Sequence, residues 1–192
     1  MKENKRYSGY LKLDLQCKES KNIEFKLFFS AVITDIDNNT ITIDMLNPLE
    51  IEKLLKKEKN FYLFIPEEKI VNQFNIIRLQ NKICGELTNS FEEKRRVFRL
   101  PVCNTDFYID NKKASLINMS VSGISFEFEN PLDNIITLKS SDGKAIKTKI
   151  IDIKEKNNLY IHRGKILEAN FNISQFLSEE YLSICKRLLK DN

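Results

Sequence analysis

The sequence has few of the residues that most often carry metal or acid–base chemistry. Among its 192 residues there is a single histidine, His162, which we expect to be an exposed hairpin residue beside Arg163. A zinc site needs clustered thiolates or imidazoles at short spacing, and the four cysteines are far apart. We therefore expect no metal site and four buried, reduced thiols: Cys17, Cys84, Cys103 and Cys185.

Long apolar runs are also missing. The first residues are charged with no apolar segment after them, and no stretch approaches the roughly eighteen apolar residues of a membrane span. We expect a cytoplasmic protein without membrane insertion. The net charge of +4 and the pI of about 8.7 do not demand a nucleic-acid partner, because the cations are mostly interspersed with acids.

The sequence offers no recognisable catalytic arrangement. His162 has no assignable Ser, Cys or carboxylate partner, and the adjoining acids Glu179 and Glu180 suit a helix dipole. The Gly143-Lys144 pair lacks the upstream glycine of a phosphate-binding loop. We predict a protein that is not an enzyme, with no catalytic residue and no cofactor.

Apolar residues alternate along the first half of the chain. This period of two predicts strands at 8–17, 23–33, 41–45, 61–65, 70–79 and 82–87. The segment 48–55 has helical spacing and fits either a short helix or a loop with one helical turn. Many short strands indicate a small barrel or a sandwich. We predict one split-barrel-like β-domain over residues 1–90, ending in an interdomain linker at 88–93.

The second predicted domain covers residues 91–192. An apolar strand should begin near Val97, and turns should follow at Asp110-Asn111, Asp142-Gly143 and Asn157-Asn158. A last strand is expected at 165–171. The spacing of Leu177, Tyr181, Ile184 and Leu188 predicts a C-terminal helix, with Ser178 as its N-cap and Glu179 and Glu180 in its first turn.

Around Gly123 the alternation changes parity. Before it, Asn118, Ser120 and Ser122 should share the face opposite to Ile117, Met119 and Val121. After it, the core set becomes Ile124, Phe126 and Phe128. Such a change at a glycine predicts a bulge or a sharp bend there.

Two short segments together have the composition of an anion site. The first contains four cations within positions 94–99, namely Lys94, Arg95, Arg96 and Arg99. Arginine forks suit phosphates and the O6/N7 edge of guanine. In the second segment, Asn118 can donate and accept at a base edge, Ser120 adds a hydroxyl, and Gly123 lets a ligand approach the backbone. A ligand with two phosphates and two guanines would use all of these groups.

These two segments resemble the motifs of the PilZ family of cyclic di-GMP receptors, which are RxxxR followed by [D/N]xSxxG. Here they read Arg95-Arg96-Val97-Phe98-Arg99 and Asn118-Met119-Ser120-Val121-Ser122-Gly123. The resemblance covers roughly residues 92–190 and implies a six-stranded β-barrel with a C-terminal helix. It also implies that Arg95 and Arg99 grip phosphate and guanine, with Arg96 as an auxiliary, above a floor of Asn118, Ser120 and Gly123.

The order and size of the preceding β-domain resemble those of two-domain PilZ proteins that act as flagellar brakes. This implies a receptor whose interdomain orientation changes on binding and which regulates a protein partner. That partner would be the flagellar motor or a polysaccharide-synthesis complex. The number of cyclic di-GMP molecules bound, either one or an intercalated pair, remains open. So do two other functions: a single-stranded nucleic-acid binder, and a PilZ-like adaptor that binds no ligand.

Overall fold

The computed structural model describes residues 1–16, 22–46, 54–55, 58–79, 82–93 and 98–190. Within them, six strands precede residue 93: β1 (Arg6–Gln16), β2 (Asn22–Asp37), β3 (Thr40–Met45), β4 (Asn60–Ile65), β5 (Ile70–Leu79) and β6 (Ile83–Glu92). They form a closed barrel in the order β1-β2-β3-β6-β5-β4, in which the pairing of Tyr10 with Tyr62 joins β1 to β4.

Alternate residues of these strands fill the first barrel. Leu11 and Leu13 of β1 and Phe25 and Phe29 of β2 are buried, as period-two alternation predicts. Tyr10 has the opposite parity to Leu11, but it is only 1% exposed. It stacks on Tyr62 with ring centroids 4.9 Å apart. The two rings are therefore buried against each other, whereas the aromatic side chains that stack on bases in a single-strand nucleic-acid binder are exposed.

Two predictions for this half of the chain concern the linker at 88–93 and the segment 48–55. The linker predicted at 88–93 is wrong, because β6 continues to Glu92 and pairs with β5 through Gln73↔Asn89 and Val71↔Phe91. Backbone hydrogen bonds hold this polar stretch in the sheet, so side-chain alternation does not reveal it. The helix or loop predicted at 48–55 lies mostly outside the described residues. The two residues of this segment that the structure describes, Leu54 and Leu55, are helical.

The second half contains six further strands and a long helix: β7 (Phe107–Ile109), β8 (Lys112–Met119), β9 (Gly123–Phe128), β10 (Ile135–Ser140), β11 (Ala145–Lys156), β12 (Leu159–Ala169) and α1 (Ile173–Lys190). The strands close a second barrel in the order β10-β11-β12-β9-β8-β7. The mainly β fold, with a six-stranded barrel followed by a C-terminal helix, is confirmed. The chain divides into two compact units, built mainly from β1–β6 and from β7–β12 with α1. The boundary between residues 90 and 91 stays a prediction.

Local turn chemistry explains the hairpins of the second barrel. Asp110 and Asn111 both have positive φ between β7 and β8, and Asn157 and Asn158 both have positive φ between β11 and β12. Paired positive φ values give the turn whose twist matches antiparallel strands, and short polar side chains tolerate them. Both turns, and the Asp142-Gly143 turn between β10 and β11, lie where the sequence predicted them.

Two strand predictions differ from the structure. The strand expected from Val97 is reduced, in the described residues, to one isolated bridge between Leu100 and Met119. The last strand, expected at 165–171, is β12 and begins earlier, at Leu159.

The helix α1 packs on the second barrel. Phe176 and Leu177 belong to the barrel core, and the Phe176 ring meets Phe107 edge-on at 6.3 Å. The predicted N-cap at Ser178 is wrong. The helix starts at Ile173, and the Asn172 side chain accepts a hydrogen bond from the Gln175 N–H at 3.1 Å. In the described part of the chain, no helix is long and apolar enough to cross a membrane.

Glu180 is buried in α1 rather than lying in the first turn. Its carboxylate accepts hydrogen bonds from the Cys103 N–H, the Asn104 N–H and side-chain amide, and the Thr105 hydroxyl, at 2.9–3.2 Å. Four donors from one segment compensate for burying the charge. Glu180 therefore attaches the helix to the chain that leads into β7.

His162 is fully buried in β12, which contradicts its prediction as an exposed hairpin residue. It lies on the inner face beside Phe126 of β9, with the rings stacked at 5.0 Å. Its Nε2 accepts a hydrogen bond from the Leu132 N–H at 3.0 Å. Burial lowers the pKa of His162 below its ordinary value. Alternation alone does not separate a core histidine from a surface one.

The cysteines also differ from expectation. Cys84 and Cys185 are free thiols, whereas Cys103 is disulfide-bonded. The prediction of buried, reduced thiols is therefore wrong for Cys103, which is buried but not reduced, and for Cys84 and Cys185, which are reduced but only half-buried. Cys17 lies outside the described residues. Burial raises the pKa of the Cys185 thiol, which favours its protonated form at neutral pH.

Candidate ligand-binding site

The second predicted motif ends in a tight turn that joins β8 to β9. The Ser120 N–H donates to the Gly123 carbonyl at 2.8 Å, and the Gly123 N–H donates to Ser120 Oγ at 3.1 Å. Ser120 is buried, while Val121 and Ser122 are exposed at the tip. The prediction that Asn118, Ser120 and Ser122 share one strand face is wrong for Ser120 and Ser122, because β8 ends at Met119. The sharp bend predicted at Gly123 is this turn, and β9 begins at Gly123.

Asn118 lies at a β-bulge just before the turn. The register of β8 against β9 shifts between Leu116 and Asn118, and Asn118 then pairs with Ser125. The Asn118 side-chain oxygen is buried and has no hydrogen-bond partner among the described residues. An unpaired buried acceptor costs about 1–3 kcal/mol, so a donor carried by a ligand would remove a penalty that the fold otherwise bears.

Arg99 reaches the turn from the segment before β7. The backbones of Leu100 and Met119 exchange two hydrogen bonds, each of 2.8 Å, which fixes the residue next to Arg99 against the end of β8. Arg99 is exposed. A Cβ placed on Gly123 would lie 3.8 Å from Arg99 Nη2 and 3.6 Å from Ser120 Oγ. The guanidinium therefore lies over the one position of the turn that has no side chain.

The structure thus brings Arg99, Ser120 and Gly123 together and places Asn118 at the adjoining bulge. Arg95 and Arg96 lie outside the described residues. The Ser120 hydroxyl is already engaged by the Gly123 backbone, so its visible contribution is to hold the turn. Chemically, the group offers a charged planar fork, an unsatisfied amide oxygen and a turn position without a side chain, which suits a phosphate next to a base edge.

The sheet beyond β9 adds charges that sequence reasoning missed. Gly123 pairs with Lys165 of β12, and Ser125 pairs with Arg163. Arg163 forms an ion pair with Asp152, with Nη1 and Oδ2 3.3 Å apart. Strand pairing over about forty residues brings these groups beside the turn, and no local pattern in the sequence signals it.

In the candidate site Arg99 is exposed, whereas Ser120 and Gly123 beneath it are buried. A cleft of about 620 Å³ lies elsewhere in the second barrel, between the β7–β8 turn and the first half of β10. Its lining includes Asp110, Asn111 and Ile135, but none of the four predicted site residues that the structure describes. Within the described residues there is no group of three or more His, Cys, Asp or Glu side chains that could hold a metal ion.

Comparison with known proteins gives matches of structure only. No protein-family model matches the sequence, and no curated protein matches it. Escherichia coli YcgR, solved in complex with c-di-GMP, is 10% identical with a TM-score of 0.36, and the match covers 97% of this chain and 86% of that chain.

Two further solved structures are similar at the same level. The Bacillus subtilis inhibitor of motility MotI/DgrA is 11% identical with a TM-score of 0.37, covering 100% of this chain and 99% of that chain. K. pneumonia MrkH, solved as a c-di-GMP complex, is 12% identical with a TM-score of 0.32, covering 96% of this chain and 88% of that chain. Because TM-scores below 0.5 do not establish a common fold, the function of this chain has to be argued from its own residues.

Proposed function

We propose that this protein is a cytoplasmic, non-enzymatic receptor for cyclic di-GMP of the PilZ type. The observation that carries the proposal is the position of the Arg99 guanidinium, 3.8 Å from where a Gly123 Cβ would lie. Arg99 belongs to one motif of the resemblance and Gly123 to the other, and they are separated by more than twenty residues in sequence. Their proximity, with Arg99 itself exposed, is what a shared ligand requires.

Each residue has a role in the proposed complex. Arg99 binds phosphate and the guanine edge with its planar fork, and Arg95 does the same from the preceding segment, with Arg96 as an auxiliary. The buried Asn118 oxygen accepts from guanine N–H groups. Gly123 forms the floor, and Ser120 keeps that floor in shape through its bonds to the Gly123 backbone.

The test is calorimetric titration of the purified protein with cyclic di-GMP at physiological salt. We expect saturable binding, whose stoichiometry distinguishes one ligand molecule from an intercalated pair. Arg99→Ala should weaken it by about 1–3 kcal/mol, or roughly ten- to hundredfold in Kd, because a bidentate contact is lost. Arg99 is exposed, so the free energy of unfolding should stay within about 0.5 kcal/mol of the parent value.

Arg78→Ala is the matched control, because Arg78 is an exposed arginine on β5 of the first barrel. It should leave the Kd unchanged. Normal binding by Arg99→Ala would refute the site. No binding of cyclic di-GMP by the parent protein would refute the receptor. A short single-stranded oligonucleotide bound in its place would favour the nucleic-acid alternative, and no binding to either would leave the adaptor.

We further propose that binding orders the segment around Arg95–Arg99, reorients the two barrels and so regulates a protein partner. Our first choice is the flagellar motor, and the second is a polysaccharide-synthesis complex. A ligand shifts such an equilibrium only if it prefers one orientation. Small-angle scattering should therefore change at saturating cyclic di-GMP in the parent but not in Arg99→Ala. Superimposable curves with and without ligand would contradict the reorientation, and direct binding to purified motor complexes would test the partner.

A further inference from the structure

The outer face of the second barrel continues past Gly123 as a row of cations. Lys165 of β12 pairs directly with Gly123 of β9, and Lys149 of β11 pairs directly with Lys165. Residues paired across strands project from the same face of a sheet, about 5 Å apart. Lys149, Lys165 and Gly123 are therefore consecutive on one face.

The neighbouring residues establish that this face points outwards. His162 is fully buried, and a Cβ on Gly164 would lie 2.1 Å from the methyl carbon of the buried Thr148 side chain. Those two residues of β12 thus face the core. Lys165 follows Gly164 and has the opposite parity, and both Lys165 and Lys149 are exposed.

These two lysines are not neutralised by a described carboxylate, as some cations of this barrel are. Among the described residues, the ion pairs of this barrel join Lys112 to Glu129, Lys113 to Asp106, Lys144 to Asp142 and Arg163 to Asp152. Neither Lys149 nor Lys165 pairs with a carboxylate anywhere in the described ranges. Like charges placed directly opposite each other destabilise a sheet, so the fold retains an arrangement that an anion would improve.

The row lies on the far side of Gly123 from Arg99. Arg99 adjoins Leu100, which bridges to Met119 on β8, whereas Lys165 belongs to β12. In the barrel order, β9 lies between β8 and β12. A ligand at Gly123 would therefore have the segment that carries Arg99 on its β8 side and Lys165 on its β12 side. A cyclic dinucleotide, with a phosphate on each side of its ring, has the matching charge distribution.

We infer that Lys165, supported by Lys149, binds the phosphate on the side of the ligand opposite to Arg99. This inference rests on the proposed receptor function and adds two residues to its site. Arg163 lies on the same strand but is engaged with Asp152. Lysine suits the role, because its long stem and point charge can follow a phosphate without a fixed fork geometry.

The test compares lysine variants by calorimetric titration with cyclic di-GMP. Exposed ion pairs contribute up to about 1 kcal/mol, so Lys165→Ala should weaken binding by up to about fivefold. The double variant Lys165→Ala/Lys149→Ala should be about tenfold weaker, because both charges near that phosphate are gone. Lys165→Arg should bind nearly as the parent does. Higher salt should shrink these differences, because the contacts are exposed.

Lys156→Ala is the matched control. Lys156 is an exposed lysine on β11, seven residues from Lys149 and so roughly 23 Å away along the strand. It removes the same charge and should leave the Kd unchanged. The thermal midpoints of unliganded Lys165→Ala and Lys165→Ala/Lys149→Ala should equal or exceed that of the parent, because a repulsive pair has been removed.

A double-mutant cycle between Arg99→Ala and Lys165→Ala tests whether the two residues bind different phosphates or the same phosphate of the ligand. If the residues bind different phosphates, their effects on the binding free energy should add. Normal binding by the lysine double variant would overturn the inference while the receptor function stands. Strong non-additivity would also overturn it, because both residues would then serve one phosphate. No binding by the parent would overturn the receptor function and this inference together.

Discussion

Gly123 allows ligand access to be tested separately from folding. Its φ is not in the left-handed region, and an added Cβ would meet its neighbours at ordinary distances of 3.4 Å or more. We expect Gly123→Ala to leave the free energy of unfolding within about 0.5 kcal/mol of the parent value. The new methyl would lie beneath Arg99 and occupy the ligand's floor, which should weaken cyclic di-GMP binding by about 1–3 kcal/mol.

Gly143→Ala provides the reverse control for this prediction. Gly143 has a φ of +85° with open space around its Cβ position, so alanine there is strained by backbone conformation alone. We expect a loss of about 1 kcal/mol in the free energy of unfolding and an unchanged Kd. Urea unfolding and calorimetric titration measure the two quantities. Equal effects of the two substitutions on binding would contradict the role given to Gly123.

His162 should make stability depend on pH in a narrow window. Burial lowers its folded pKa, so below about pH 6.5 the unfolded chain binds a proton that the folded chain does not. The free energy of unfolding should therefore fall as the pH drops from 7.5 to 5.5. Protonation would also remove the acceptor of the Leu132 N–H.

The chain contains one histidine, so the effect can be assigned. His162→Phe keeps a ring against Phe126 but does not titrate. Urea unfolding at several pH values should give a slope for the parent that is missing in this variant. An identical slope in both proteins would place the titrating group elsewhere.

At the scale of elements, the attachment of α1 depends on Glu180. Glu180→Gln keeps an oxygen acceptor but removes the charge that strengthens four hydrogen bonds from residues 103–105. We expect a loss of about 1–3 kcal/mol in the free energy of unfolding. Glu179→Gln, at the exposed neighbouring position, should change it by less than about 0.5 kcal/mol. Equal losses in the two variants, measured by urea unfolding, would show that the buried network is not what anchors the helix.

Elements with a local signature were predictable from the sequence. Strands with one buried face alternate, and the Asp110-Asn111 and Asn157-Asn158 turns carry residues that tolerate positive φ. The polar end of β6 was missed, because only its backbone pairs with β5. Glu180 looked like a first-turn acid, because its partners at 103–105 are more than seventy residues away.

The candidate site divides in the same way. Its two motifs can be read in the sequence as residue types at fixed spacing. The burial of Ser120 could not be predicted from the sequence, because it depends on the reversal of the chain after Met119. The place of Lys165 beside Gly123 depends on which strands pair, and barrel closure rather than any local preference decides that.

For the whole molecule, ligand binding should appear as added thermal stability. A ligand that binds only the folded state at a concentration of about 100 times Kd stabilises by about 2.7 kcal/mol. All four site residues that the structure describes belong to the second unit, so in a calorimetric scan the transition of that unit should rise by roughly 10–20 °C. Arg99→Ala should reduce the shift, and Lys156→Ala should retain it. A scan unchanged by saturating cyclic di-GMP would contradict binding to the native protein.

The bridge between Leu100 and Met119 also gives the protein its own reporter. Two backbone hydrogen bonds contribute about 1–3 kcal/mol, far less than the whole fold, so this isolated bridge should open locally more often than the continuous pairing of β9. The Leu100 and Met119 amide protons should then exchange with deuterium sooner than those in the middle of β9. A ligand held between Arg99 and Gly123 would join the same two segments and slow both exchanges. The exchange rates of these two amide protons would therefore report the occupied fraction of the site without an attached label.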